Sequence, residues 1–379
     1  MSAFPIDPIY LDHAATAPPR REVLEAMWPH LTGGFANPAS RYAPGLDAEN
    51  ALEDARLRVA RQLGARPAEI IFTSGGTEAD NAAVKGIVLA RMLRGRPARR
   101  HVLVSAVEHS AVLESARWLE ALGAEAEVIP VDGDGLVSPE TLRSMLRPET
   151  ALVSVQTANN EVGTIQDVPA LAEVTTDQGA YFHTDAVQAA SAVRLDVREL
   201  GIDALSLSGH KLGTPKGVGV LYLRRRTPFE PLVHGGGQQR DLRSGTEDVA
   251  GAVGMATALE STATERDDGG ALRSRREAFV EAVQESAAGA RLTGHPQRRL
   301  PGHASFVLPG RSGESMLLDL ERRGVLCSSG SACSAASAEP SHVLTAMGFS
   351  RDESLSALRF TFGPHTPSEE LDRAVAALH

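Results

Sequence analysis

The chain has 379 residues, 42% hydrophobic and 4% aromatic, with a formal charge of -10 and a pI near 5.7. That length exceeds what one small core holds, so a large domain plus a smaller one is expected. The acidic balance argues against direct nucleic-acid binding, which calls for a basic face. Two cysteines, Cys327 and Cys333, are too few for a disulfide framework or an all-cysteine zinc site, so no metal is expected. No apolar run is long enough to span a membrane and no signal peptide stands out, which points to a cytoplasmic chain with reduced thiols.

From residue 69 onward, short apolar runs alternate with amphipathic stretches. "EIIFTS" (69–74) precedes "TEADNAAVKGIVLARML", and "HVLVSA" (101–106) precedes "HSAVLESARWLEALG". "AEVIPVD" precedes "SPETLRSML", and "TALVSVQTANN" (150–160) precedes "VPALAEVTTDQG". "AYFHTDA", "DALSLSGHK" and "VGVLYLRR" follow. Strand–helix alternation of this kind predicts a mainly parallel sheet covered by helices. After about residue 246 long helical patterns take over, with a few strands at "HASFVLP" and "LSALRFTFG" and a last helix at "SEELDRAVAALH". This reads as a smaller α+β domain (258–379) completed by the N-terminal segment (1–15), beside a large domain over 16–257.

In an open α/β sheet, ligands bind outside the carboxyl ends of the strands, and unusual groups collect there. "TSGGTEADN" (73–81) turns through Gly75 and Gly76 into a helix near Thr77, where backbone N–H groups favour a phosphate. His109 follows a strand; it is either a capping histidine or a ring that stacks on a planar cofactor and handles protons. Asp185 ends "YFHTD", either as a helix cap or as the partner of a protonated ring nitrogen. Lys211 lies at the end of an apolar strand, behind "SGH" and ahead of "GTPKG". A partly desolvated lysine loses basicity and reacts with an aldehyde. Pyridoxal phosphate needs such a lysine, an aspartate at its pyridine nitrogen and a phosphate cup, for which Ser208, His210 and Thr77 are candidate donors.

The ordered set "YLDHAATAP", "NPAS", "TSGGTEADN", "EHSAVL", "NNEVG", "HTDAVQ", "SLSGHK", "PKGVG", "HGGGQQRDLRSGT", "SSGSACSAASAEPSHVL" and "LRFTFG" spans nearly the whole chain. It resembles the cysteine desulfurases of the NifS/IscS type. The resemblance implies a fold type I pyridoxal-phosphate transferase: an α/β large domain on a mainly parallel seven-stranded sheet, plus the smaller α+β domain. It further implies that Lys211 carries the cofactor, that Asp185 pairs with the ring nitrogen, and that Gln188 and Asn160 lie near the ring. His109 would stack on the ring and shuttle protons. Gly76, Thr77, Ser208 and His210 would bind the phosphate, and Thr246 would reach the phosphate of a partner protomer, making a homodimer. Asn37 and Arg359 would hold the carboxylate of L-cysteine, an arginine fork suiting that job. The reaction implied is L-cysteine plus a protein thiol giving L-alanine and a protein persulfide, passed to a sulfur-acceptor protein.

The family's nucleophile falls in "SSGSAC", at Cys333. Cys327 departs from the small apolar residue usual there; it is a buried apolar cysteine or an alternative nucleophile. His13 and Ala17 also vary from the usual "YLDHAATAP" pattern. The competing readings are another enzyme on the same fold, such as a selenocysteine lyase or an aminotransferase, and a non-catalytic sulfur-carrier docking protein. Iron–sulfur assembly, tRNA thiolation and DNA phosphorothioation are the acceptor pathways that relatives serve.

Overall fold

The computed structural model describes residues 8–95, 98–266, 269–329 and 339–378. Seven strands build the main sheet: β2 (Ile70–Thr73), β3 (His101–Ser105), β4 (Glu125–Ile129), β5 (Thr150–Ser154), β6 (Tyr181–Asp185), β7 (Ala204–Ser208) and β8 (Gly219–Leu223). Their order is β2-β8-β7-β6-β5-β3-β4, with β8 alone running against the others. Six carboxyl ends therefore open on one edge of the sheet. β3, β5, β7 and β8 are buried along their whole length, as strands covered on both faces must be. The edge strand β4 instead turns Glu125 and Val128 to solvent, and its charge discourages pairing with another chain.

The rest of the sheet content lies elsewhere. β1 (Ile9–Tyr10) pairs in parallel with β11 (Val325–Leu326), while β9 (Arg291–Leu292), β10 (His303–Val307) and β12 (Ala357–Thr361) form an antiparallel sheet of order β12-β10-β9. Phe279, Phe306, Phe360 and Phe362 fill this second core with edge-to-face ring contacts. Ile9 and Leu11 belong to it, so the N-terminal segment joins the C-terminal third of the chain. At the other end of that third the helix Val249–Arg266 runs across residue 257, and its Ala258 and Leu259 sit in the large core against the helices Arg21–Thr32 and Ala43–Gln62. Among the described residues no helix is long and apolar enough to cross a membrane.

The turn after β2 depends on two glycines. Thr73 pairs with Gly219 across the β2–β8 ladder. A Cβ at Gly219 would stand 2.5 Å from the carbonyl carbon of Gly75 and 2.6 Å from its Cα. At Gly76 a Cβ would stand 2.8 Å from Val187 Cγ2. The absent side chains let the turn lie against β7 and the loop after β6. Gly219→Ala should therefore destabilise the protein by about 1–3 kcal/mol, read as a lower urea midpoint. Gly33→Ala, where nothing lies within 4 Å of the added carbon, is the control; equal stability of both variants would refute the steric argument.

Candidate active site

The strand ends bring the expected residues to one place. β7 ends at the buried Ser208, and a single 3-10 turn, Gly209–Lys211, presents the lysine. Lys211 Nζ donates to the backbone carbonyls of Ala14 at 2.5 Å and Ala15 at 2.8 Å. Gln188 Nε2 donates to the same Ala14 carbonyl at 2.9 Å, so Gln188 and Lys211 share an anchor. His210 Nδ1 meets the Thr16 hydroxyl at 3.1 Å. Burial, then the charges of Lys211 and Lys216, push His210 down to about 4, so its ring is neutral near pH 7.

Asp185 closes β6 and is 7% exposed. No helix starts there: its Oδ1 accepts from Val187 N at 2.8 Å in a local turn, so the helix-cap alternative fails. Burial raises its pKa, while the Val187 amide, His109 and Lys211 pull it back down. His109 takes the capping role that the sequence allowed. It caps the helix Ser110–Glu120, its Nδ1 accepting from Ala111 N at 3.1 Å. That bond places the proton of the neutral ring on Nε2, and the ring is near enough to bias Asp185 electrostatically.

Asn160 serves here through its backbone. Its carbonyl accepts from Arg359 Nη1 at 2.9 Å and His303 Nε2 at 3.2 Å. Arg359, on β12, is 1% exposed, and its Nη2 also holds Asp12 Oδ1 at 2.7 Å. Removing one partner of a buried pair of this kind costs about 3–5 kcal/mol. Asn37 lies on an exposed turn, its side-chain oxygen accepting from Ala39 N at 2.9 Å. Thr77 is exposed on the first turn of the helix Gly76–Arg94. Thr246 is exposed three residues beyond Arg243, which grips Glu78 of that same first turn at 2.8 Å. A cavity of about 990 Å³ opens beside Lys211 and Gln188, with His13, His303 and Thr361 in its wall.

The two cysteines part company. Cys333 lies outside the described residues. Cys327 packs against the smaller core just after β11. Burial, then the nearby Asp12 carboxylate, push its thiol up to about 12, despite Arg359. A thiol held protonated is a poor nucleophile, and Cys327, half-buried against the smaller core, fits the apolar-cysteine reading better. Among the described residues no group of three or more histidine, cysteine or carboxylate side chains could hold a metal.

Several groups at the site escaped the reading of the sequence. The Ala14 and Ala15 carbonyls carry no side-chain signature at all. Glu108 is fully buried beside His109; its Oε1 accepts from Ser105 Oγ at 2.6 Å and Gln156 N at 2.7 Å, and burial pushes it up to about 8. Asp80 and His183 lie in stretches already singled out, "TEADN" and "YFHTDA", and only the fold turns them towards each other, Asp80 Oδ1 standing 3.7 Å from His183 Nε2.

The comparisons agree with this geometry. The family model for aminotransferase class-V matches residues 9–374. The cysteine desulfurase IscS of Dictyoglomus turgidum is 44% identical over 371 residues, 98% of this chain and 93% of its own. Among solved structures, a NifS-like protein superposes with a TM-score of 0.91 at 33% identity, over 98% of each chain. SspA in complex with cysteine superposes at 0.82 and 32% identity, over 94% of this chain and 99% of its own. With the strand-end lysine, aspartate and histidine in place and near-full-length similarity on both measures, the chain belongs to the aminotransferase class-V family, among its cysteine desulfurases.

Proposed function

We propose that this enzyme binds pyridoxal phosphate on Lys211, transfers the sulfur of L-cysteine to the thiol of Cys333 and releases L-alanine. The observation that carries this reading is the meeting of Lys211, His109 and Asp185 at the aligned ends of β7, β3 and β6, where the first two both favour the ionised form of the third. The donor set fits the cofactor. Asp185 offers a buried carboxylate for a ring nitrogen, and Lys211 projects between two carbonyls. Gly76 leaves a close-packed cradle against Val187 and Ser208 at a helix start, suited to a phosphate. When bound, pyridoxal phosphate supplies an electron sink for the bonds broken at the substrate α-carbon side chain.

The chain's own residues do the remaining work. Asp185 holds negative charge opposite the ring nitrogen. Ser208, His210, Thr77 and the Gly76 amide bind the phosphate, and Gln188 and Asn160 border the ring. Arg359, preset by Asp12 and the Asn160 carbonyl, orients the substrate carboxylate with Asn37. Lys211 and His109 Nε2 take up and return protons, the Ala14 and Ala15 carbonyls receiving the lysine ammonium when it is not otherwise engaged. At the thiol, an S–S bond forms as the C–S bond of cysteine breaks. The carbon gains the proton and leaves as alanine, and the protein keeps the persulfide.

The persulfide then passes to an acceptor protein, for iron–sulfur assembly, tRNA thiolation or DNA phosphorothioation. A net charge of -10 favours reaching any nucleic acid through that partner. A cytoplasmic setting keeps the thiol reduced. We take the working unit to be a homodimer in which the exposed Thr246 reaches the neighbour's phosphate.

Lys211→Ala should abolish the borohydride-fixed cofactor label and cut alanine release by about a hundredfold or more; an undiminished label would refute the assignment of the lysine. Alkylation after one turnover, followed by peptide mass spectrometry, should place the persulfide on Cys333. Cys333→Ser should lose it and Cys327→Ser should keep it, since the Cys327 thiol is held near 12; label on Cys327 would reverse the choice. Mixing Lys211→Ala with Thr246→Ala protomers should restore part of the activity that each lacks alone, by giving one intact site per heterodimer. A fully active monomer would refute the dimer.

A further inference from the structure

Behind Asp185 lies a closed polar relay between the sheet and the helix Gly76–Arg94. His183, two residues before Asp185 on the same face of β6, bridges Ser154 Oγ on β5 at 2.8 Å and Ser206 Oγ on β7 at 2.9 Å. Ser206 stands in register with Asp185 across the β6–β7 ladder, and its hydroxyl also meets the carboxyl of Asp80. Asp80 is 1% exposed, and its Oδ1 is buried without a hydrogen-bond partner, 3.7 Å from His183 Nε2.

The hydrogen bonds of the relay can run in either direction, so the orphaned oxygen distinguishes the charge states. If Asp80 carries a proton, it donates to Ser206, Ser206 donates to His183 Nε2, and His183 Nδ1–H donates to Ser154. The orphaned Oδ1 is then a neutral carbonyl oxygen. If Asp80 is ionised, Oδ1 is a buried charge without a partner, which is far more costly. The charged and titratable groups around the relay point the same way. Asp185 and Glu108 each oppose a charge on Asp80, burial holds His183 down to about 3, and Lys211 and His109 favour the ionised form of Asp185 instead. A charge on Asp185 therefore disfavours a second one on Asp80.

We propose that Asp80 is a positioning residue for Asp185: held as the neutral acid at the end of the Ser154–His183–Ser206 relay, it leaves the negative charge of the site on Asp185, where the cofactor nitrogen binds. This rests on the cofactor reading above. It makes the relay an uncharged buttress that fixes β6 and β7 at the point where Asp185 projects.

The test uses the full-length chain stripped of cofactor and titrated with pyridoxal phosphate by absorbance. Failure of the wild type to bind would refute the cofactor reading itself. Given wild-type binding, Asp80→Asn, which keeps a neutral donor to Ser206, should stay within about threefold of wild-type affinity. Asp80→Leu and Ser206→Ala should each weaken binding about tenfold. The unloaded chain gives a second reading. A carboxyl kept neutral by the fold loses stability as pH rises above its ordinary range, so wild-type unfolding midpoints should fall more steeply from pH 6 to 9 than those of Asp80→Asn. Tenfold weaker binding by Asp80→Asn, or an identical pH slope, would overturn the neutral acid. Wild-type affinity in Ser206→Ala, which stands in if Asp80→Leu fails to fold, would overturn the positioning role.

Discussion

The stretch from Leu11 to Arg20 stitches the two cores together, and the site exists only where it passes. Leu11 N bonds Leu326 O and Leu11 O receives Thr361 N, which ties the start to the smaller core. Asp12 then takes Arg359, and Ala14 N takes the Thr361 hydroxyl. Immediately afterwards the carbonyls of Ala14 and Ala15 receive Lys211, Ala17 N bonds His210 O, and Arg20 Nε reaches Leu212 O. Within ten residues the same strand of backbone holds Arg359, through Asp12, and Lys211. Their separation is thus set by covalent geometry, which flexes little.

Charge in this site is managed by scarcity of partners. Three carboxyl groups, Asp80, Glu108 and Asp185, are buried near one another, and burial raises all three. Asp185 differs in that Lys211 and His109 favour its ionised form. On the proposed reading, that difference would leave the anion where a cofactor ring nitrogen would benefit from it. Glu108 meanwhile ties the turn that carries His109 to the Gln156 amide on the neighbouring strand end. Groups of this kind are costly singly and are retained because they hold functional side chains in one geometry.

The two thiols show burial acting in the opposite sense. A sulfur nucleophile needs access and a populated thiolate. Cys327 is half-buried against the small core, and burial, then the Asp12 carboxylate, disfavour its thiolate. It behaves as a small apolar residue at a strand end, and its nearness to the site in sequence carries no chemistry with it.

The order of strands and helices, the mainly parallel sheet and the identity of Lys211, Asp185 and His109 were legible from the chain alone. Apolar runs, glycine turns and reactive side chains at strand ends are local properties, and each is written in consecutive residues. The sequence puts a junction near residue 257, where the helical pattern of 249–266 does not say which core it serves; Ala258 and Leu259 would suit either, and in the structure both join the large core. Two choices offered by the sequence turn on local geometry and packing: no helix starts at Asp185, and Cys327 packs half-buried against the small core. The carbonyls of Ala14 and Ala15, the relay from Ser154 to Asp80 and the Arg359–Asp12 pair join residues far apart in the chain. Backbone acceptors look alike at every position, and a buried polar group declares its partner only when the chain has closed around it, so these were decided by tertiary structure alone.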